Sequence, residues 1–424
     1  MDSPLFLQRE AKLYVAFDDT SVFEVPLLEG FSFSQATNVN EVTLSEASTD
    51  GVTSRRGTAR FTDSLAPAEF SFSTYMRPFK STGSGSTAGN ASKGSIANHH
   101  AVEEVLWALF AGATQYRATT NAPVQPLFYS GSASQTANVV ITTDATDSDI
   151  SFAHSNRVQL HTPDFYISLG RTSDTTAVGA NDLLYKLQGA VLNEATVDFD
   201  IDGIATINWS GFATLIEDVT GNPENKGFIT ASSSVVAATV YEGIAATNNF
   251  VQNRLSTVTL TNGDDEYSNY EDSYDITLTG GSITFTNNIE YVTPSVMGIV
   301  NQPLGHYTGA RTISGNLTCY LDGTSGRSAD LFEDLAESST FDVVNFFGLT
   351  IKLGGASAPS AQFVIPAAHL EIPTHAVDEV IGMEINFHAL PTAGSSGSFT
   401  QSISAANEAT IKYIGITPDN NIGN

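Results

Sequence analysis

The chain has 424 residues, and its 46 Asp and Glu against 18 Lys and Arg give a formal net charge of −28. A folded surface this negative repels phosphate groups, which argues against ordinary nucleic-acid binding. The single cysteine, Cys319, excludes an intrachain disulfide and a zinc site built from several cysteines.

The segment from Met1 to Phe17 contains acidic Asp2 and Glu10 and no long apolar run, so we expect neither a signal peptide nor a membrane anchor. We expect the chain to work in the cytoplasm where it is made, or in an assembly built there. Apolar and polar residues alternate along most of the chain, as in Ala11–Phe17 and Glu69–Met76. This period of two, together with abundant Gly, Ser, Thr, Val and Ile, predicts a mainly β fold with many short strands.

Two segments have helical spacing instead. His99–Ala113 has apolar residues three and four positions apart, with two Glu residues near its start, where the helix dipole favours negative charge. Arg327–Thr340 repeats the pattern more weakly with Leu331, Phe332 and Leu335. We therefore predict two helices in a β-rich chain.

The stretch Ala195–Gly211 places Asp198, Asp200 and Asp202 at every second position. An EF-hand loop would need a bidentate Glu at its twelfth position, where this chain has Trp209. The alternation continues on both sides, which predicts a β-hairpin with a loop of about three residues, centred on Gly203. The polar face of this hairpin would carry Asp198, Asp200, Thr206 and Asn208.

Three blocks of sequence recur in the same order, which predicts an internal duplication. The matching blocks are Leu28–Thr43 with Leu278–Thr293, the two predicted helices, and Ile207–Thr214 with Ile385–Thr392. The last match places Glu384 opposite Thr206 and Asn386 opposite Asn208. We predict one β domain over residues 1–220 with long insertions near 80–98 and 118–156, a connecting arm over 221–250, and a second β domain over 251–424.

The sequence contains no motif that specifies catalysis. His99 and His100 lie beside two Glu residues at the start of the first predicted helix, but without an HExxH motif they indicate a solvated helix start rather than a metal site. The glycines of Gly83–Gly89 lack the Lys that a phosphate-binding loop requires. We expect no enzymatic activity, no cofactor and no bound metal.

Three stretches together resemble the tail tube proteins of long-tailed bacteriophages. Ser54–Phe79 is similar to the central hairpin of that family, Val102–Ala113 to the helix that follows it, and Leu192–Asp218 to its closing hairpin. The resemblance implies a β-barrel or sandwich domain with one flanking helix, joined edge to edge into rings that stack as a hollow tube for phage DNA. Because the chain holds two matching halves, it is similar to the duplicated members, whose trimeric rings have pseudo-sixfold symmetry; a hexamer with an outer second domain is the alternative.

The resemblance also implies partners and a location. The subunit would bind copies of itself, the tail terminator, the baseplate or distal tail proteins and the tape measure protein, with no membrane partner. It would be assembled in the host cytoplasm and reside in the virion tail. Double-stranded DNA would pass without being held, because acidic walls repel its backbone. We expect Asp198, Asp200, Thr206, Asn208, Glu384 and Asn386 to face the lumen, and Arg55, Arg56, Arg60 and Arg77 to make basic contacts between subunits.

A second interpretation is a carbohydrate-binding or capsid- or tail-decorating β-sandwich protein. Exposed aromatic residues would be its sign, and the three Tyr residues of Asp264–Tyr274 are the best candidates. An acidic loop on the outside of a tube explains that segment equally well. A glycoside hydrolase would need two converging carboxylates, which the sequence does not single out.

Overall fold

The structure is a computed structural model that describes residues 6, 8–18, 21–42, 59–80, 99–112, 141–143, 146–153, 160–170, 183–220, 239–241, 249–262, 271–292, 303–338, 347–355, 359–376, 380–390 and 407–415. Its described residues are mainly β, as predicted. The first half of the chain, residues 1–220, contributes strands β1 (Ala11–Asp18), β2 (Ser21–Val25), β3 (Ser32–Val42), β4 (Ala59–Tyr75), β5 (Pro78–Lys80), β6 (His99–Ala101), β7 (Ile141–Thr143), β8 (Ser148–Ala153), β9 (Asp164–Leu169), β10 (Leu183–Gln188), β11 (Val191–Asp200), β12 (Thr206–Ala213) and β13 (Leu215–Asp218). Helix α1 (Glu104–Phe110) also lies in this half.

Strand β14 (Thr239–Tyr241) comes between the two halves in the sequence, and it pairs in parallel with β2 of the first half. The second half, residues 251–424, contributes β15 (Thr257–Asn262), β16 (Ser273–Ile276), β17 (Leu278–Thr286), β18 (Ile289–Val292), β19 (Gly305–Thr308), β20 (Thr312–Tyr320), β21 (Phe347–Leu353), β22 (Ser360–Leu370), β23 (Thr374–Ala376), β24 (Gly382–Ala389) and β25 (Asn407–Ile414), with helix α2 (Ser328–Ser338). Two single turns of 3-10 helix cover Gln8–Glu10 and Asn253–Leu255.

Each half has a front and a back sheet with the same strand order. In the first half the front sheet runs β3-β4-β12-β11 and the back sheet runs β13-β10-β9-β1-β2. In the second half the front sheet runs β17-β20-β24-β22 and the back sheet runs β25-β22-β21-β15-β16. Aromatic contacts join the layers, with ring centroids 5.4 Å apart for Phe70 and Phe165 in the first half and 6.3 Å apart for Phe285 and Phe363 in the second.

The passage from back to front sheet differs between the halves. In the first half, a corner at Gly189, with φ +61°, separates β10 from β11. In the second half, β22 makes the passage without a break, since Ala361–Ile365 pair with β21 and Ala368–Leu370 pair with β24.

The halves are joined edge to edge. Strand β11, at the edge of the first front sheet, pairs antiparallel with β17, at the edge of the second, from Glu194 opposite Thr286 to Asp200 opposite Gly280. The two front sheets thus form one continuous path of eight strands. At the back, β8 of the first half pairs with β25 of the second. The division into two domains stays a prediction, because strands of both halves share one sheet.

Both predicted helices are present, but the first is shorter than predicted. His99–Ala101 form strand β6, which pairs with β5, and the helix begins at Glu104. The predicted insertion near 80–98 lies almost wholly outside the described residues. The insertion near 118–156 supplies β7 and β8.

The predicted hairpin is formed by β11 and β12 with a longer loop than expected. Asp198 lies opposite Thr206, and the loop between the strands covers five residues, 201–205. Ile201 lies in this loop with 47% of its side chain exposed, whereas the strand pattern placed it on the buried face. Within this loop, Ile204 forms an isolated antiparallel bridge with Gln252 and does not pair with β11.

Candidate functional site: the polar face of the front sheets

The six residues predicted to face a lumen lie on one face of the joined front sheets. Residues directly opposite each other on neighbouring strands share a face, and Asp198 lies opposite Thr206 on one side and Ser282 on the other. From Ser282 the row continues through Asn316 to Asn386. Neighbouring rows on the same face carry Asn208 opposite Thr196, and Asp200 in line with Gly280, Thr318 and Glu384. We call this surface the polar face.

In the first half, hydrogen bonds link the polar side chains across three strands. The Ser73 hydroxyl donates to Asn208 Oδ1 at 2.7 Å, and Asn208 Nδ2 donates to Asp198 Oδ2 at 2.6 Å. Partial burial raises the pKa of Asp198, and the hydrogen bond from Asn208 opposes that rise. Asn208 thus holds the carboxylate of Asp198 against the sheet.

The second half has a similar arrangement with different residues. Ser282 Oγ donates to Asn316 Oδ1 at 2.8 Å, and Asn316 Nδ2 donates to Glu384 Oε1 at 3.1 Å. Asn386 Nδ2 donates to Glu371 Oε2 at 3.1 Å. Sequence reasoning missed Asn316 and Glu371, because only the strand register shows that they face the same side as Glu384.

The face beneath is apolar and fully buried. Val197, Ile207 and Trp209 in the first half and Ile385 and Phe387 in the second are each at most 1% exposed. This alternation is the one that the sequence predicted, and it explains why the polar side chains in the rows of Asp198 and Asn208 stand on one side of the sheet.

The four predicted basic contacts have different environments. Arg55 and Arg56 lie outside the described residues. Arg60 is exposed and pairs with Glu41 across the β3–β4 hairpin at 2.5 Å. The prediction for Arg77 is wrong, because this residue is only 6% exposed within its own chain, and its guanidinium lies 5.9 Å from the Phe250 ring.

His99 and His100 are buried, so the predicted solvated helix start is also wrong. His100 Nδ1 lies 3.2 Å from Glu104 Oε2, and the Ser148 hydroxyl donates to Glu104 Oε1 at 3.2 Å. His99 Nε2 lies 2.8 Å from the carbonyl oxygen of Gly415. These contacts tie the start of α1 to β8 and to the end of β25.

Glu103 belongs to the same buried cluster. Burial raises the pKa of Glu103 to about 7, although the neighbouring Tyr413 hydroxyl and Arg77 act in the opposite direction. Trp107 Nε1 donates to the Tyr413 hydroxyl at 2.8 Å, so this cluster joins α1 to β25. Its residues are at most 6% exposed, which assigns the cluster to the interior and not to a surface site.

Two further predictions concern ligands. Among the described residues, no group of three His, Cys, Asp or Glu side chains is placed to hold a metal ion. Of the three tyrosines considered for carbohydrate binding, Tyr267 and Tyr270 lie outside the described residues. Tyr274 is fully buried and donates a hydrogen bond to Asp334, so it is not an exposed aromatic.

No helix in the described part of the chain is long and apolar enough to span a membrane.

The mainly β fold agrees with the class expected for a phage tail tube protein, and a comparison with known proteins supports this class. The chain is 29% identical over 406 residues to the tail tube protein pb6 of Escherichia phage T5, a match that covers 93% of this chain and 75% of pb6. The predicted resemblance to phage tail tube proteins is thereby confirmed, and it extends well beyond the three stretches that suggested it.

The other comparisons add little. No protein-family model matches the chain. The cryo-EM structure of the anti-feeding prophage baseplate matches 31% of this chain and 87% of its own chain at 12% identity, with a TM-score of 0.26. A TM-score this low does not establish a shared fold.

Proposed function

We propose that the chain is a structural subunit of a phage tail tube, without enzymatic activity, that resides in the virion tail. The similarity to pb6 over nearly the whole chain is the observation that carries this proposal. Tube assembly takes place in the host cytoplasm, and the tail terminator, the baseplate or distal tail proteins and the tape measure protein are its further partners.

The two halves are proposed to be duplicated tube domains that act as equivalent units. Their front and back sheets have the same strand order, and the matching sequence blocks fall on corresponding strands, β3 with β17 and β12 with β24. Three chains would then supply six equivalent units, which favours a trimeric ring with pseudo-sixfold symmetry. A hexamer is the alternative, and the retention of polar side chains at Asn208 and Asn386 in both halves argues against an outer, decorating second half.

The polar face is proposed to line the channel. Asp198, Asp200 and Glu384 lie on it, and none of the Lys or Arg residues in the described ranges is part of the rows that contain them. Each basic side chain that neutralised a phosphate would release counterions and add affinity for DNA. A wall of carboxylates and amides repels the backbone, so the DNA slides past.

The test has two stages. Negative-stain microscopy of the purified protein, with and without a tail-tip complex, is expected to show hollow rings or tubes; isolated globules would contradict a tube subunit. Virions carrying Asp198→Lys and Asp200→Lys are then expected to eject DNA more slowly, with the larger effect at low salt.

The matched control carries Asp198→Asn and Asp200→Asn. It removes the two negative charges without adding positive ones, so it is expected to slow ejection less than the Lys variant. Intact tubes of the Lys variant that eject at the wild-type rate would refute the lumen assignment and leave the tube function standing.

A further inference from the structure

The loop between β11 and β12 contains an Asp-Gly pair, a sequence that can rearrange without an enzyme. In such a pair the backbone nitrogen of the glycine can attack the carboxyl carbon of the aspartate, because glycine has no side chain to hinder the approach. The chain has three of these pairs, Asp50–Gly51, Asp202–Gly203 and Asp322–Gly323. The first lies outside the described residues, and the other two are both exposed.

The loop favours glycine at position 203 for a conformational reason. The φ of Gly203 is +115°, in the left-handed region, where a residue with a side chain would be strained. Apart from its chain neighbours, no atom lies within 4 Å of the place that a Cβ atom would occupy. The backbone therefore favours the one residue that leaves its own nitrogen accessible to the preceding carboxyl group.

The carboxyl group of Asp202 can turn towards that nitrogen. Among the described residues, no hydrogen bond or ion pair holds the Asp202 side chain, and the backbone N–H of Gly203 has no acceptor. The carboxylate of Asp200, two positions earlier, is held instead, because it accepts from the backbone N–H of Ile201 at 2.6 Å. The structure thus leaves both reacting groups of the 202–203 pair unrestrained.

The pair Asp322–Gly323 has the same sequence but a restrained carboxylate. Asp322 Oδ1 accepts from the backbone N–H of Thr324 at 2.9 Å and from its hydroxyl at 2.7 Å. This arrangement is an Asx turn, which directs the carboxylate at the nitrogen two positions along and not at that of Gly323. The bond from the Thr324 hydroxyl, followed by the bond from its backbone, also lowers the pKa of Asp322. A lower pKa favours the charged carboxylate, which is a poor electrophile.

We propose that Asp202 is a site of spontaneous isomerisation to isoaspartate, and that Asp322 resists this reaction in the folded chain. The nitrogen of Gly203 forms a bond to Cγ of the protonated Asp202 carboxyl group, whose hydroxyl leaves with the proton of the nitrogen as water. The product is a cyclic succinimide. Water then breaks one of its two C–N bonds: opening at the former backbone carbonyl gives isoaspartate, and opening at Cγ restores aspartate. One water is released and one is consumed, so the reaction needs no oxidant, reductant or cofactor.

Isomerisation changes the backbone of the hairpin loop. In isoaspartate the main chain runs through the side-chain carbon, so it gains one atom between positions 202 and 203. The loop is tied close to that point, since the backbone N–H of Asn253 donates to the Gly203 carbonyl at 3.2 Å and that of Ala205 donates to the Val251 carbonyl at 3.0 Å. The added atom displaces the Gly203 carbonyl, so the modification weakens the contact between this loop and residues 251–253.

Incubation of the purified chain in warm, mildly acidic buffer tests the proposal. Mass spectrometry with electron-transfer fragmentation distinguishes isoaspartate from aspartate at each position. We expect isoaspartate at position 202 to accumulate several-fold faster than at position 322. We also expect the amide of Asn253 to exchange its hydrogen faster in the modified fraction, because its acceptor has moved.

The same chain unfolded in urea is the control for sequence alone. Unfolding removes the Asx turn, so the two pairs are expected to react at similar rates. In the folded chain, Asp202→Asn is expected to convert faster than the wild type, because an amide loses ammonia more readily than a carboxyl group loses water. Asp202→Glu keeps the charge but needs a larger ring, and is expected to stay unmodified. Thr324→Val removes one donor from Asp322 and is expected to raise the rate at position 322.

The outcomes decide the proposal without reference to the tube. Isoaspartate that forms at Asp322 as fast as at Asp202 in the folded chain overturns it. An Asp202→Asn variant that stays unmodified when folded overturns it as well, since the loop then prevents ring closure. Conversion of the Asn variant while wild-type Asp202 stays intact has the same meaning for the native residue. The proposed function is tested separately by microscopy and stands or falls independently.

Discussion

Glu103 is a buried carboxyl whose protonation should make the stability of the fold depend on pH. Its pKa rises from an ordinary value of 4.5 to about 7 in the folded chain because burial disfavours the charged form. Between these two values the folded state retains a proton that the unfolded state has lost. The stability that the protonated Glu103 retains is therefore fully present below the unfolded-state pKa. It is lost as the pH rises from that value through the folded-state pKa.

The size of the effect follows from the shift. At about 1.4 kcal/mol for each pKa unit, the wild-type chain loses about 3 kcal/mol of unfolding free energy between the two values. Glu103→Gln cannot ionise, and its amide oxygen can still accept from the backbone N–H of Arg77, as Glu103 Oε2 does. We expect the variant to equal the wild type near pH 4 and to be more stable by about 3 kcal/mol near pH 8.

Urea denaturation of the unassembled chain, repeated across this pH range, measures the difference between the two proteins. The subtraction removes the pH dependence that the other carboxyl groups contribute to both. Glu29→Gln, which removes one charge from an exposed turn, is the control and should differ from the wild type by less than about 0.5 kcal/mol throughout. A Glu103→Gln variant that differs from the wild type by the same amount at every pH would refute the reasoning.

Two further predictions concern the core. Trp107→Ala removes a fully buried ring and its hydrogen bond to Tyr413, and should lower the unfolding free energy by about 3–5 kcal/mol in urea denaturation. Unchanged stability would contradict the placement of α1 between the halves. Gly211→Ala would put its Cβ atom 2.2 Å from the carbonyl oxygen of Val191, and should lower the thermal midpoint through a loss of about 1–3 kcal/mol. Gly323→Ala, which meets no atom within 4 Å, is its control and should leave the midpoint nearly unchanged.

Most of the correct predictions made from the sequence follow from the alternation of polar and apolar residues along the strands. The polar face follows from this alternation. A period of two keeps Asp198 and Asn208 on the same side of the sheet when the loop between them is lengthened by an even number of residues. The loop itself was predicted too short. Within the loop Ile204 bridges to Gln252, a residue 48 positions away, and no local pattern contains that contact.

Charge and polarity misled the prediction where side chains are buried in pairs. From the sequence, His100 was expected at a solvated helix start, because there is no HExxH motif, and Arg77 was expected in a basic contact between subunits. In the fold, His100 meets Glu104, and Arg77 lies beside Glu103 and Phe250. Glu104 is only four positions from His100, but the Ser148 hydroxyl of β8 that meets the same carboxylate, and the Glu103 and Phe250 neighbours of Arg77, come from distant parts of the sequence.

The contact between α1 and β25 has a consequence for biosynthesis. Trp107 and Tyr413 are separated by 306 positions along the chain, yet the ring of one donates to the hydroxyl of the other in the buried interior. A ribosome adding about 5–20 residues per second makes Trp107 at least ~15 s before Tyr413. During that interval the helix of the nascent chain has its buried carboxyl and indole uncovered, so this is the period in which chaperone binding or premature association would compete with correct folding.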